Sequence, residues 1–179
     1  MKNDKLRLLL LEECNRNCPG CCNNYYDLQH LKACEDYTPY RLIMLTGGEP
    51  MIRPDLVKEA VADIRAQTNA PIYIYTAMVE GVDEILGIID GVTLTLHAKS
   101  DRRPFEEFLS TAKNLDGKAL RLNVFDEVGD IGDYPGWKVK KIYWRENCPV
   151  PQGEDFMRYR HNMPVSEKLQ RNVTRCNAV

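Results

Sequence analysis

The chain has little that would take it into a membrane, onto nucleic acid or out of the cell. No apolar run exceeds the four residues of Leu8 to Leu11, against the roughly 20 that a spanning helix needs. Basic charge is not in excess: Lys+Arg 24 against Asp+Glu 26 leaves a net charge of −2, so nucleic acid is not expected as the main partner. The opening MKNDKLRLLLL is followed at once by acid and cysteine. It lacks the small-residue cleavage site of a secretory leader, and a cytoplasmic location is expected. Internal repeats and low-complexity tracts are absent. At 179 residues the chain is too short for a complete eight-stranded (β/α) barrel, which takes ~250 residues. Zinc-site patterning is also missing, with no second C-x2-C pair and no suitably spaced histidine.

What remains is an ordinary globular composition, 44% hydrophobic and 28% charged, sized for one domain. Short apolar runs rich in β-branched and aromatic residues predict strands at 6–11, 42–46, 72–76, 92–96, 120–125 and 139–144. Amphipathic segments lie between them. Leu56, Val57, Ala60, Val61 and Ile64 repeat at helical spacing after Pro54, which suits a first helical turn. Segments 82–89 and 103–115 read as helices, and 27–34 as a possible further one. The alternation predicts an α/β fold with a mostly parallel sheet and five or six β/α units. On periodicity alone, an open partial barrel and a doubly wound sheet both fit. From about Cys148 the period is lost, and residues 148–179 read as an extension to a core of 1–147.

Seven cysteines, an odd number, are many for this length: Cys14, Cys18, Cys21, Cys22, Cys34, Cys148 and Cys176. Cytosolic thiols clustered like the first four are more often metal ligands than disulfide partners. Cys14-Asn-Arg-Asn-Cys18-Pro-Gly-Cys21 follows the first strand, and its C-x3-C-x2-C spacing puts three thiolates on one loop. Three thiolates can hold three irons of a [4Fe-4S] cluster and leave the fourth iron open. Zinc binding is the alternative on the loop alone. Cys22 adjoins Cys21, so its side chain diverges from that set. Cys34, Cys148 and Cys176 are too scattered for an auxiliary cluster and read as free thiols.

Thr46-Gly47-Gly48-Glu49-Pro50 ends the second strand. In isolation it would be a tight βα turn. Beside the cysteine loop it lies at the C-terminal ends of adjacent parallel strands, where α/β proteins bind ligands. Two glycines there would let backbone approach a ligand, and Glu49 offers an acceptor for an ammonium group.

The pair C-x3-C-x2-C and GGEP, in this order on successive strands, resembles the radical S-adenosylmethionine (SAM) superfamily. The resemblance spans about residues 6–125. It implies a [4Fe-4S] cluster on Cys14, Cys18 and Cys21, with the methionine end of SAM received at Gly47, Gly48 and Glu49. It implies reductive cleavage of SAM to a 5′-deoxyadenosyl radical that abstracts hydrogen from a substrate, and so an external electron donor. Cys18-Pro-Gly-Cys21 with Asn23 is similar to activases of anaerobic ribonucleotide reductase, which place a glycyl radical on a partner enzyme. Two positions depart from pattern: Gly20 stands where the superfamily often has an aromatic, and Cys22 where those activases do. The alternative is a radical SAM enzyme on a small molecule, nucleotide or peptide, comparable in scale to 7-carboxy-7-deazaguanine synthase. Lys99, Arg102, Arg103 and Arg121 would then neutralise a phosphate or carboxylate. The expected fold is a partial (β/α)6 barrel with an irregular C-terminal extension.

Later strand ends supply further candidates. Tyr75-Thr76-Ala77-Met78 resembles activase segments near SAM. Thr95, His97 and Lys99 alternate at the fourth strand, and Asn123 and Phe125 at the fifth. Thr76, Thr95, His97 and Asn123 are the candidate polar contacts to SAM, and Val124 or Phe125 the candidate packing for adenine. Tyr25 and Tyr26 either cover the cluster loop or pack within it. The basic, aromatic Arg158-Tyr-Arg160-His161 is expected to be a solvated face.

Overall fold

The computed structural model describes residues 3–144 and 150–160, without the side chain of Cys22. Its seven strands are β1 (Lys5–Leu9), β2 (Leu42–Thr46), β3 (Ile72–Thr76), β4 (Gly91–Leu96), β5 (Ala119–Phe125), β6 (Trp137–Ile142) and β7 (Glu154–Arg158). They form one sheet in the order β6-β5-β4-β3-β2-β1-β7, and every neighbouring pair is parallel. Among the described residues the sheet is open, with β6 and β7 as its edges. From β1 to β6 the order never reverses, unlike a doubly wound sheet.

Three α-helices cross between strands: α1 (Pro54–Arg65), α2 (Val82–Ile85) and α3 (Arg102–Thr111). Pro54 opens α1, where its missing N–H needs no partner. Val57, Ala60, Val61 and Ile64 of α1 are buried, as are Phe105 and Phe108 of α3. Along β3, Ile72, Ile74 and Thr76 are buried while Tyr73 and Tyr75 are half-buried. Along β5, Leu120, Leu122 and Val124 are buried while Arg121 is exposed. One face of the sheet therefore carries the apolar core and the other a more polar set, the period-two signature of strands.

Several expectations need correction. Only three crossovers contain an α-helix among the described residues, short of the six of a regular (β/α)6 unit. The β1–β2 and β5–β6 connections hold only short 3-10 turns. Residues 27–34 make one such turn, Leu28–His30, and then run extended. There the Arg158 N–H donates to the Lys32 carbonyl and the Cys34 N–H to the Arg158 carbonyl. Pairing with the end of β7 thus outcompetes helix. α2 is half the expected length: it ends at Ile85, and residues 86–88 form a turn. α3 stops at Thr111, where Ala112 turns extended and Asn114 takes a positive φ of 64°. β6 lies two residues earlier than expected. The 148–179 segment is not wholly irregular, since Glu154–Arg158 adds β7 alongside β1.

Tyr40 Oη and Asn3 Nδ2 both donate to Asp155, at 2.9 and 2.7 Å, and Arg7 donates to Glu154 at 2.9 Å. Beyond β7, Tyr159 donates to Asp63 of α1 and Arg160 pairs with Glu59. Arg158 and Tyr159 are each 5% exposed, so these two are docked and not solvated as expected, while Arg160 is exposed. His161 lies outside the described residues. No helix among the described residues is long and apolar enough to cross a membrane.

Phe105 is fully buried and meets Tyr134 and Trp137 edge-on at 5.0 and 5.2 Å. Phe105→Ala is expected to lower stability by about 3–5 kcal/mol in urea unfolding. A loss under about 1 kcal/mol would contradict α3 packing on the sheet.

Candidate functional site

The chains leaving β1 and β2 stay paired past the strand ends. Leu10 N–H donates to the Thr46 carbonyl at 2.8 Å, Gly48 N–H to Leu11 at 2.7 Å and Glu49 N–H to Glu13 at 2.8 Å. A Cβ at Gly47 would lie 2.6 Å from the Leu11 oxygen, and one at Gly48 only 1.9 Å from the Glu13 oxygen. No side chain fits at either distance. The two glycines are thus required by backbone lying on backbone within the protein, whereas the sequence had suggested approach to a ligand. Asn23 adds a side-chain tie, its Nδ2 donating to the Gly47 carbonyl at 2.8 Å.

This pairing presses the cysteine loop against GGEP. Cys14, Cys18 and Cys21 are free and half-buried. The Arg16 N–H donates to Cys14 Sγ at 3.4 Å, and the Cys21 N–H to the Cys18 carbonyl at 3.2 Å. Burial, then the neighbouring Cys21 and Cys14, pushes the Cys18 thiol up to about 11. Burial raises Cys14 as well, with Cys21 adding to it. Among the described residues, no three His, Cys, Asp or Glu side chains converge tightly enough for a single metal ion. An iron–sulfur cluster spreads its thiolates over separate corners, and the N–H···S contact at Cys14 is the kind that supports a bound thiolate. Three thiols on one loop, one of them already accepting an N–H, are a donor set that would suit such a cluster.

Gly20 has its own explanation. A Cβ there would lie 2.9 Å from Cε3 of Trp144. Trp144 stacks on Phe125 at 3.8 Å, and His97 flanks both rings at 5.0 and 5.6 Å. Trp144, from the chain after β6, thus packs against the loop at Gly20.

Glu49 is 2% exposed. Its Oε1 accepts from the Met51 N–H at 3.1 Å and from the Thr76 hydroxyl, and its Oε2 accepts from the Ala77 N–H at 2.7 Å. Burial raises its carboxyl above the usual range, against these hydrogen bonds. Glu49 therefore staples the end of β2 to the end of β3, and the hydroxyl of Thr76 serves Glu49. Arg16 continues the chain of contacts. Its Nη1 and Nη2 form a fork with Asp101, both at 3.0 Å, and Nη2 also donates to the Ala77 carbonyl at 3.1 Å. Asp101 also accepts from the N–H groups of His97 and Ala98, at 2.7 and 3.1 Å.

Cys14, Cys18, Cys21, Gly47, Gly48, Glu49, Thr76, Thr95, His97 and Asn123 thus lie at or near the C-terminal ends of β1 to β5, whereas Arg121 is the third residue of β5 and Arg102 and Arg103 open α3. Thr95 and Asn123 are register neighbours on β4 and β5, and both are half-buried. His97 Nδ1 is buried without a partner among the described residues, and burial, then the Arg16 charge, lowers its pKa and keeps the ring neutral. Phe125 faces the aromatic stack, while Val124 is core at 1% exposure. Lys99 leaves the expected alternation because β4 ends at Leu96 and Lys99 starts a 3-10 turn. Tyr26 packs edge-on against Phe156, and Tyr25 is exposed. Cys34 is a buried free thiol pushed up to about 11, first by burial. Cys148 and Cys176 lie outside the described residues.

Arg16, Asp101 and Trp144 were missed by sequence reasoning, and Asn23 was noted only as a family mark. Arg16 sits inside the cysteine motif, but its partner is 85 positions away, a distance no spacing rule spans. Compared with known proteins, the chain matches no protein-family model and no curated protein.

Gly48→Ala is expected to cost about 3 kcal/mol by urea unfolding, the upper end for an overpacked site. Gly87→Ala, where a Cβ meets nothing within 4 Å, should change stability by less than about 0.5 kcal/mol. Equal effects at the two positions would contradict the close backbone contact.

Proposed function

We propose that the chain is a radical SAM enzyme of the cytoplasm, built on a partial (β/α)6 barrel that β7 extends at one edge. The observation that carries this reading is the juxtaposition of C-x3-C-x2-C and GGEP on neighbouring strand ends, zipped backbone to backbone. Cys14, Cys18 and Cys21 would hold a [4Fe-4S] cluster with one iron open. When bound, that cluster supplies the electron that breaks the sulfonium C5′–S bond of SAM, yielding methionine and a 5′-deoxyadenosyl radical for hydrogen abstraction.

The chain's own residues bind, orient and exclude water. Gly47, Gly48 and Glu49 form the floor on which the methionine end of SAM would rest. Glu49 spends three contacts on protein donors, so its part in holding an ammonium group is chiefly to fix that floor. His97, at the end of β4, offers an Nδ1 without a partner among the described residues. Thr95 and Asn123 offer polar groups side by side. Trp144 covers the cysteine loop from the β6 side.

For the substrate, we favour a glycyl radical partner enzyme, as the CPGC resemblance suggests; an open sheet leaves a side through which a polypeptide loop can enter. A small anionic molecule or nucleotide is the second reading. It is favoured by Arg121 and Lys138, register neighbours on β5 and β6, with Lys140 two residues on. Arg102 and Arg103 count less toward it, since each pairs with a glutamate one turn along α3.

Anaerobic reconstitution with iron and sulfide, followed by SAM and dithionite, is expected to yield 5′-deoxyadenosine by mass spectrometry. Cys18→Ala should lower the yield at least 100-fold. Product from the variant at the native level, or no iron uptake by the native protein, would overturn the proposal.

A further inference from the structure

The two faces of the sheet are dressed unequally. Buried residues of α1, α2 and α3 join one core with Ile72, Ile74, Val92, Leu94, Leu120 and Leu122. The alternate residues of β3, β4 and β5 turn to the other face, outside that core. Strands β3 to β6 contain no Asp or Glu, yet this face carries Arg121, Lys138 and Lys140, all exposed. We propose that it binds the phosphate group of a small-molecule substrate, held by Arg121 and Lys138 over the hydroxyl of Thr93. The inference rests on the radical SAM reading above and develops its small-anion branch.

Tyr73 builds one side of the site. A Cβ at Gly91 would lie 2.8 Å from Cδ1 of Tyr73, so the glycine lets that ring lie across β4. The Arg121 guanidinium sits over the Tyr73 ring, 5.3 Å from its centroid. Such stacking holds the guanidinium and uses none of its N–H donors. Thr93 lies between, the register partner of Tyr75 on one side and of Arg121 on the other. It is 2% exposed, and its Oγ1 is buried without a partner among the described residues. A hydroxyl left that way costs stability unless something completes it. Arg121 is in turn the register partner of Lys138, and Asn123 that of Lys140.

Among the described residues, the ion pairs include none of these three cations. Lys141, which alternates to the opposite face of β6, pairs with Asp130 at 2.8 Å. Neighbouring strands lie ~4.8 Å apart, and residues two apart along a strand ~6.6 Å. Long side chains at those spacings converge on one polyatomic anion. A guanidinium fork with two ammonium groups matches a phosphate, which carries about −1.5 to −2 at pH 7, better than a single carboxylate. The chain's own residues 161–179 are no electrostatic match, with Glu167 alone against Lys168, Arg171 and Arg175.

The test is isothermal titration calorimetry of pyrophosphate into the full chain at one fixed ionic strength. It is run on the metal-free protein and on the reconstituted protein after removal of free iron, with melting temperatures alongside. The variants are Arg121→Gln, Lys138→Gln, Thr93→Val and Lys141→Gln. The native chain is expected to bind in both forms. Arg121→Gln should weaken binding at least about tenfold and Lys138→Gln at least about fivefold, each losing a charge-assisted hydrogen bond. Thr93→Val should weaken it at least about threefold with no fall in melting temperature. Lys141→Gln removes the same charge from the other face and should change affinity less than about twofold. No binding by the native chain would overturn the proposal. So would a Lys141→Gln loss equal to that of Arg121→Gln, since net charge and not this face would then be responsible. Thr93→Val that melts lower and binds normally gives the hydroxyl a structural role and overturns the site. A hexaglutamate peptide binding more tightly than pyrophosphate overturns the small-molecule occupant in favour of an acidic loop of a partner protein. If no cluster assembles while pyrophosphate still binds the metal-free chain, the radical SAM reading falls and the substrate role with it. A cluster that cleaves SAM in a chain indifferent to pyrophosphate sinks the inference alone.

Discussion

The C-terminal end of this sheet depends on how closely the chain after β2 lies against the chain after β1. Hydrogen bonding there continues past the last strand residues to Glu13 and Glu49. At Gly48 the gap to the Glu13 carbonyl leaves no room for a single carbon. That contact fixes the root of the cysteine loop relative to GGEP, and hence the placement of three thiols against a buried carboxylate. A looser approach would leave two ordinary surface loops.

Buried polar groups then transmit this placement sideways across the sheet. Glu49 gathers donors from Met51, Thr76 and Ala77, and Arg16 takes the Ala77 carbonyl and passes to Asp101, which holds His97 and Ala98. Each carboxylate is surrounded by donors, which is what makes a buried charge tolerable. Because the members share partners, their effects should be coupled and not additive. Among the described residues, His97 Nδ1 and Arg16 Nε have no partner and stand out against this satisfied network.

β1 to β5 were legible because each contains a short apolar run, and the limits of β2 and β3 follow directly from theirs. α1 was legible from Pro54 and its apolar spacing. What escaped depends on partners far along the chain. Glu154–Arg158 carries no periodic pattern; its register is set by pairing with β1 and by the ties of Asp155 to Tyr40 and Asn3. Segment 27–34 reads locally as helix but is claimed by the end of β7. At the site, the cysteines, glycines and Glu49 could be named from spacing. That Thr76 serves Glu49, that Arg16 grips Asp101, and that Trp144 fills the space above Gly20 are properties of the folded arrangement. They arise between strands that are neighbours in the sheet and distant in sequence.

The most direct test of a shared cluster and SAM site is the electron paramagnetic resonance spectrum of the reconstituted, dithionite-reduced protein, recorded with and without SAM. The account predicts a reduced-cluster signal whose shape changes when SAM is added, because SAM would bind at the open iron beside Glu49. A signal unchanged by saturating SAM, or no cluster signal at all, would contradict it.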